Sequence, residues 1–170
     1  LIGHVAMTIF NLTDTYFVSL LGTKELAAMS FTFPFVMLVN HFLFGIGMGT
    51  SAVVSKAIGQ KNFSQMKRIT TDCLFLVIVT GMIISTTGLV FSRDIFAAFG
   101  AEGETLELVL SYMVIWLAGL PIASIPMVVN NAIRATGNTK TPGLIMAFSS
   151  TLNIILDPLF IFGIWFFPEM

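Results

Sequence analysis

Three long runs without a charged residue constrain this chain more than any other feature. Residues 26–55, 73–92 and 108–133 hold 30, 20 and 26 consecutive positions with no Asp, Glu, Lys or Arg. A bilayer span needs about 20 mostly apolar residues, and a helix is the single-segment structure that satisfies its own backbone polar groups in lipid. Two further stretches have the same character with one acid each: 1–23 holds Asp14 and 141–168 holds Asp157. The expected fold is an all-α integral membrane protein of about five transmembrane helices, over roughly 1–22, 26–56, 69–92, 106–134 and 142–167.

Composition excludes the main alternatives. Apolar residues make up 56% of the chain and charged ones 10%, against about 25% charged in soluble domains. A small soluble fold must cover its outside with polar groups, and a mean hydropathy of +0.93 leaves too few of them. The net charge of −1 argues against a basic nucleic-acid surface. Cys73 is the single cysteine, so no disulfide forms within the chain, and no Cys/His spacing suggests zinc. No nucleophile, base and orienting group can be assembled, so an enzyme is not expected. The chain opens on Leu1, is apolar from its first residue and holds an odd number of spans, and it reads as a fragment.

The links between spans are short and rich in turn formers, as in Gly59-Gln60-Lys61-Asn62 and Thr136-Gly137-Asn138-Thr139-Lys140. Cytoplasmic loops collect Lys and Arg. Lys56, Lys61, Lys67, Arg68, Arg134 and Lys140 mark one face, and only Lys24 and Arg93 fall on the other. The first span is therefore expected to start on the cytoplasmic side. Pro34, Pro121 and Pro126 lie within the second and fourth spans and predict kinks. Gly45, Gly47 and Gly49 permit close helix approach.

An ionisable residue in mid-span costs about 2.5–3.5 kcal/mol on insertion scales and usually faces a protein interior or a wet cavity, which makes Asp14 and Asp157 the informative residues. In the first span His4, Met7, Asn11 and Asp14 fall on one helical face. In the last, Asn153 and Asp157 are i and i+4 and share a side. Pro158 cannot donate to the carbonyl of Ile154, so a kink and a backbone acceptor are expected one turn below. A carboxylate, an amide oxygen and a carbonyl suit a hard cation such as Na⁺, and protonation is the competing way to neutralise the same site. Either Asp could instead hydrogen-bond a neighbouring helix. His41 reads as a helix-packing or lumen-facing residue, and His4 is a proton-relay candidate only by its face.

Several motifs together resemble the multidrug and toxic compound extrusion (MATE) family. They are Asn11-Leu12-Thr13-Asp14-Thr15-Tyr16-Phe17-Val18, then Gly45-Ile46-Gly47-Met48-Gly49-Thr50 leading to Gly59-Gln60-Lys61-Asn62. Arg134-Ala135-Thr136-Gly137-Asn138-Thr139-Lys140-Thr141-Pro142 and Leu152-Asn153-Ile154-Ile155-Leu156-Asp157-Pro158 follow in family order. The Leu-Asp-Pro form looks like the DinF-type and Gram-positive multidrug branch. The resemblance implies a twelve-helix transporter of two six-helix lobes, with residues 1–170 covering part of the amino-terminal lobe. It implies that Asp14, Asn153 and Asp157 bind a proton or Na⁺, with Asn11, His4 and Phe10 as candidate cavity lining; Phe10 stands where some members carry an aromatic hydroxyl.

The expected function is a cation-coupled (H⁺ or Na⁺) antiporter that exports amphipathic or cationic drugs across the plasma membrane. No cofactor is implied beyond the coupling ion, and the expected partners are organic cations, the bilayer and the remaining helices of the transporter. The alternatives are a lipid-linked oligosaccharide flippase of the same superfamily, or an inactive truncated remnant. A flippase would carry basic groups in its cavity for phosphates, and here no Lys or Arg lies in mid-span.

Overall fold

The backbone of the computed structural model, described over residues 22–161, forms five helices: α1 Thr23–Gly59, α2 Phe63–Ala98, α3 Gly103–Ala123, α4 Ile125–Ala135 and α5 Lys140–Ile161. The chain divides into two units. One is Ala27–Asn138, which holds α1 from its second turn through α4; the described part of the other is 22–26 and 139–161.

Within Ala27–Asn138 the sequence sets sharp turns between long helices. Lys61 adopts a left-handed φ of 56°, and the Asn62 N–H donates to Ala57 O at 3.0 Å, closing the end of α1. Asn62 then caps α2: its Oδ1 accepts from the Gln65 N–H at 3.0 Å, and its Nδ2 donates to Gln65 Oε1 at 3.2 Å. At the other end of α2, Gly100 takes a φ of 92° and the Ala101 N–H donates to Phe96 O at 3.0 Å. Arg93 Nη2 donates to Glu107 Oε1 at 3.0 Å, clamping the last turns of α2 to the first of α3. Both side chains are about two-thirds exposed, at 67% and 63%. Exposed ion pairs contribute little, so Arg93→Ala should cost less than about 1 kcal/mol in a thermal-denaturation assay.

The core is a seam between α2 and α3. Val77, Gly81, Ser85, Gly88, Ser92 and Phe96 form one buried stripe on α2, at helical spacings of three and four. Leu106, Val109, Met113, Leu117 and Leu120 form its counterpart on α3. Two glycines set how closely the helices approach. A Cβ at Gly88 would lie 2.8 Å from Leu117 Cδ2, and one at Gly81 would lie 3.0 Å from the Cα of Pro121. α1 joins through Phe35, whose ring meets Phe96 edge-on at 5.7 Å and Trp116 at 6.4 Å. Further along, Gly47 of α1 lies against Asn131 and the Met127 carbonyl of α4.

Outside this seam, large apolar side chains face outward: Leu38, Phe75, Ile115 and Ile122 are each at least 70% exposed. In water that would be costly; in lipid it is the expected surface. Among the described residues, three stretches, Leu26–Gly59, Phe63–Ala98 and Gly103–Ala135, are long and apolar enough to cross a membrane. At 1.5 Å per residue, the 36 residues of α2 run about 54 Å, well beyond the roughly 30 Å hydrocarbon core, so its charged first turns with Lys67, Arg68 and Asp72 extend past the apolar layer.

The stretch expected as one helix over 106–134 is two helices. α3 ends at Ala123 and α4 begins at Ile125, with Ser124 between them. Pro126 has no N–H to offer the carbonyl of Ile122, and Pro121 none for that of Leu117, so the helical ladder is interrupted twice within two turns. The buried Ser124 hydroxyl donates to Pro121 O at 2.8 Å, and the Met127 N–H donates to Ser124 O at 3.2 Å. Pro34 does not interrupt α1, which is helical from Thr23 to Gly59.

Candidate functional site

The residues expected to couple transport fall on two segments. Asp14, with His4, Phe10 and Asn11, lies outside the described residues. Asn153 and Asp157 lie on α5, which starts after the Thr136–Thr139 link. Gly137, with a φ of 86°, turns the chain out of α4, and its N–H donates to Arg134 O at 3.0 Å.

α5 continues through Pro158 to Ile161, so Asn153 and Asp157 stand one turn apart on a continuous helix. Asn153 is half-buried, and its Oδ1 is shielded from solvent. An amide oxygen held there is a neutral acceptor, able to take a hydrogen bond or to ligate a cation without adding charge. The side chain of Asp157 lies outside the described part. Among the described residues, no three His, Cys, Asp or Glu side chains converge as metal ligands do.

His41 sits with Nδ1 2.7 Å from Met37 O, one turn back on α1, so its ring is held on the backbone of its own helix. Two amides that the sequence reading passed over occupy mid-helix positions. Asn131 Nδ2 donates to Met127 O at 2.7 Å and packs against Gly47. Asn40 lines a cavity of about 260 Å³ with Leu43, Trp116, Gly119, Ser124 and Met127, beside the α3–α4 break. The signal available in the sequence was an uncharged amide inside a charge-free run, together with the Pro121/Pro126 pair.

Long apolar helices joined by tight turns, lipid-type surfaces and a helix broken in mid-span define a multi-pass helical membrane protein. The MatE family model matches residues 1–159, and the chain belongs to that family. It is 39% identical to the FAD transporter of Shewanella oneidensis over 170 residues, which is all of this chain and 38% of that protein. It is 32% identical to the multidrug export protein MepA of Staphylococcus aureus, over 96% of this chain and 36% of that protein. A solved outward-facing structure of a multidrug resistance MATE family transporter of the MOP superfamily superposes with a TM-score of 0.90 at 34% identity, covering 97% of this chain and 37% of that one. The chain thus spans rather more than a third of the length of these relatives.

Proposed function

We propose that this chain is the amino-terminal lobe portion of a cation-coupled antiporter that exports amphipathic or cationic compounds across the plasma membrane, its first span starting on the cytoplasmic side. The observation that carries the reading is the Asn153/Asp157 pair, one turn apart in an apolar helix of a MatE-family chain, together with the mid-span acid Asp14. Carboxylates inside the membrane bind a proton or Na⁺, and release of that ion on the other side drives the exchange. Asp14, Asn153 and Asp157 supply the ion site, and His4, Phe10 and Asn11 line the cavity beside it. Six of the eight cations fall on the links and helix ends placed in the cytoplasm, which supports the orientation.

The test is efflux of a fluorescent organic cation from drug-sensitive cells expressing the full-length gene. Wild type should extrude the dye in a pH- or Na⁺-dependent way, and Asp14→Asn should reduce the initial rate at least about fivefold at equal expression. A wild type that moves no dye would overturn the drug-export reading.

The similarity to the Shewanella oneidensis FAD transporter favours a second substrate, a flavin dinucleotide. The Asp14 and Asp157 carboxylates do not favour an anionic dinucleotide, so amides and the rest of the transporter would have to supply its donors. Chromatographic measurement of FAD exported by the same cells separates the two: dye without FAD supports drug export, and FAD without dye supports the dinucleotide.

A further inference from the structure

A second cavity of the Ala27–Asn138 unit is a groove of about 690 Å³ between α1 and the second half of α2. Phe35 and Val39 line it from α1, and Ile83 and Phe91 from α2. Gly88 also lines it, and the Cβ that Gly88 lacks would point at the methyls of Leu117 in the α2–α3 seam. Its two side-chain polar groups are Thr87 and Asp94. The Thr87 hydroxyl donates to the Ile83 carbonyl of its own helix, which leaves the Asp94 carboxylate as the one charged group of the lining.

The dimensions match one leaflet. From Ile83 to Asp94 is eleven residues of helix, about 16 Å, close to half of the roughly 30 Å hydrocarbon core. Asp94 stands at the end of α2 where the chain turns back towards α3, beside the solvent-exposed Arg93–Glu107 pair. The groove is therefore apolar along a leaflet's depth and carries one negative charge, Asp94, at its water end.

We propose that this groove holds one phospholipid with a primary-amine headgroup, an ethanolamine phospholipid. One of its acyl chains lies along Phe35, Val39, Ile83 and Phe91, and its ammonium donates to Asp94. The headgroup chemistry follows from that charge. An ammonium gives a carboxylate a charge-assisted hydrogen bond, a choline has no N–H to donate, and a glycerol headgroup has no cation. The acyl chain occupies an apolar crevice that water does not fill favourably.

The test uses the full-length transporter reconstituted in equal parts of ethanolamine-, choline- and glycerol-headed phospholipid. A benzophenone-bearing residue is placed at Phe91 in the groove and, separately, at Ile115, which is 73% exposed and lies outside it. After illumination, the mass of each adduct is read. At Phe91 the ethanolamine adduct should exceed the choline adduct about fivefold, at Ile115 the three lipids should label alike, and Asp94→Asn should bring the Phe91 ratio to within about twofold of unity. Equal labelling at Phe91 in the wild type, an unchanged ratio in Asp94→Asn, or cross-linking of Phe91 to another helix of the transporter would each overturn the proposal.

Discussion

Asp157→Asn is expected to abolish ion-driven efflux while leaving expression and membrane insertion intact. The substitution keeps the shape of the side chain and removes its charge and its ability to exchange a proton. A mid-span carboxylate costs about 2.5–3.5 kcal/mol on insertion scales, so the amide should, if anything, enter the membrane more readily. Loss of transport in a well-inserted variant then reports on coupling and not on assembly. Coupling free energies are typically 1–3 kcal/mol, a 5- to 150-fold effect on binding, and the initial efflux rate should fall at least about fivefold. Asn153→Ala, which removes the amide oxygen one turn earlier on α5, should give a smaller loss, because a neutral ligand contributes orientation and one oxygen but no charge. The measurement is dye efflux under imposed pH and Na⁺ gradients with protein levels matched by immunoblot. Wild-type efflux in Asp157→Asn would remove that residue from the coupling site and leave it as a hydrogen-bonding contact between helices.

Legibility in the sequence followed the size of the energetic penalty behind each feature. The three long spans could be read because a charge in hydrocarbon is expensive, so 20 or more charge-free residues rarely arise otherwise. The start of α2 was harder. Lys67, Arg68 and Asp72 suggested a link and a span from about 69, whereas the helix begins at Phe63. The local signal was present in Asn62, whose side-chain oxygen accepts from the Gln65 N–H and whose amide donates to the Gln65 side chain. The α3–α4 break was half legible: two prolines announced a distortion, but its position at Ser124 depends on that hydroxyl reaching Pro121 O. Among functional candidates the two acids stood out by charge alone. Asn40 and Asn131 did not, because an amide in an apolar run costs little and its significance lies in what the fold sets beside it, a cavity for Asn40 and Gly47 for Asn131.

The glycines of the α2–α3 seam were legible only in three dimensions, and they carry the second large prediction. Gly81→Val should destabilise the protein by about 1–3 kcal/mol, the usual cost of overfilling a packed interior. The added Cβ alone would lie 3.0 Å from Pro121 Cα and 3.4 Å from Ser124 Oγ, and the two methyls of valine reach further. Backbone cannot rotate out of the way as a side chain can, so α2 and α3 must separate at the point where α3 breaks. Gly88→Ala should cost less, because the atoms it meets are the methyls of Leu117 and a leucine can change rotamer. Gly119→Val, on the same helix as Pro121 but with nothing within 4 Å of its Cβ, should be nearly silent. Thermal denaturation of the full-length transporter in detergent, followed by size-exclusion fluorescence, should rank them Gly81→Val, Gly88→Ala, Gly119→Val from worst to mildest. If Gly81→Val melts with Gly119→Val, the seam is not as tight as its geometry states. If the predicted order holds, the Pro121–Ser124 break is anchored to α2 through a single missing side chain, so a residue with no polar group fixes where the interruption of α3 is seated.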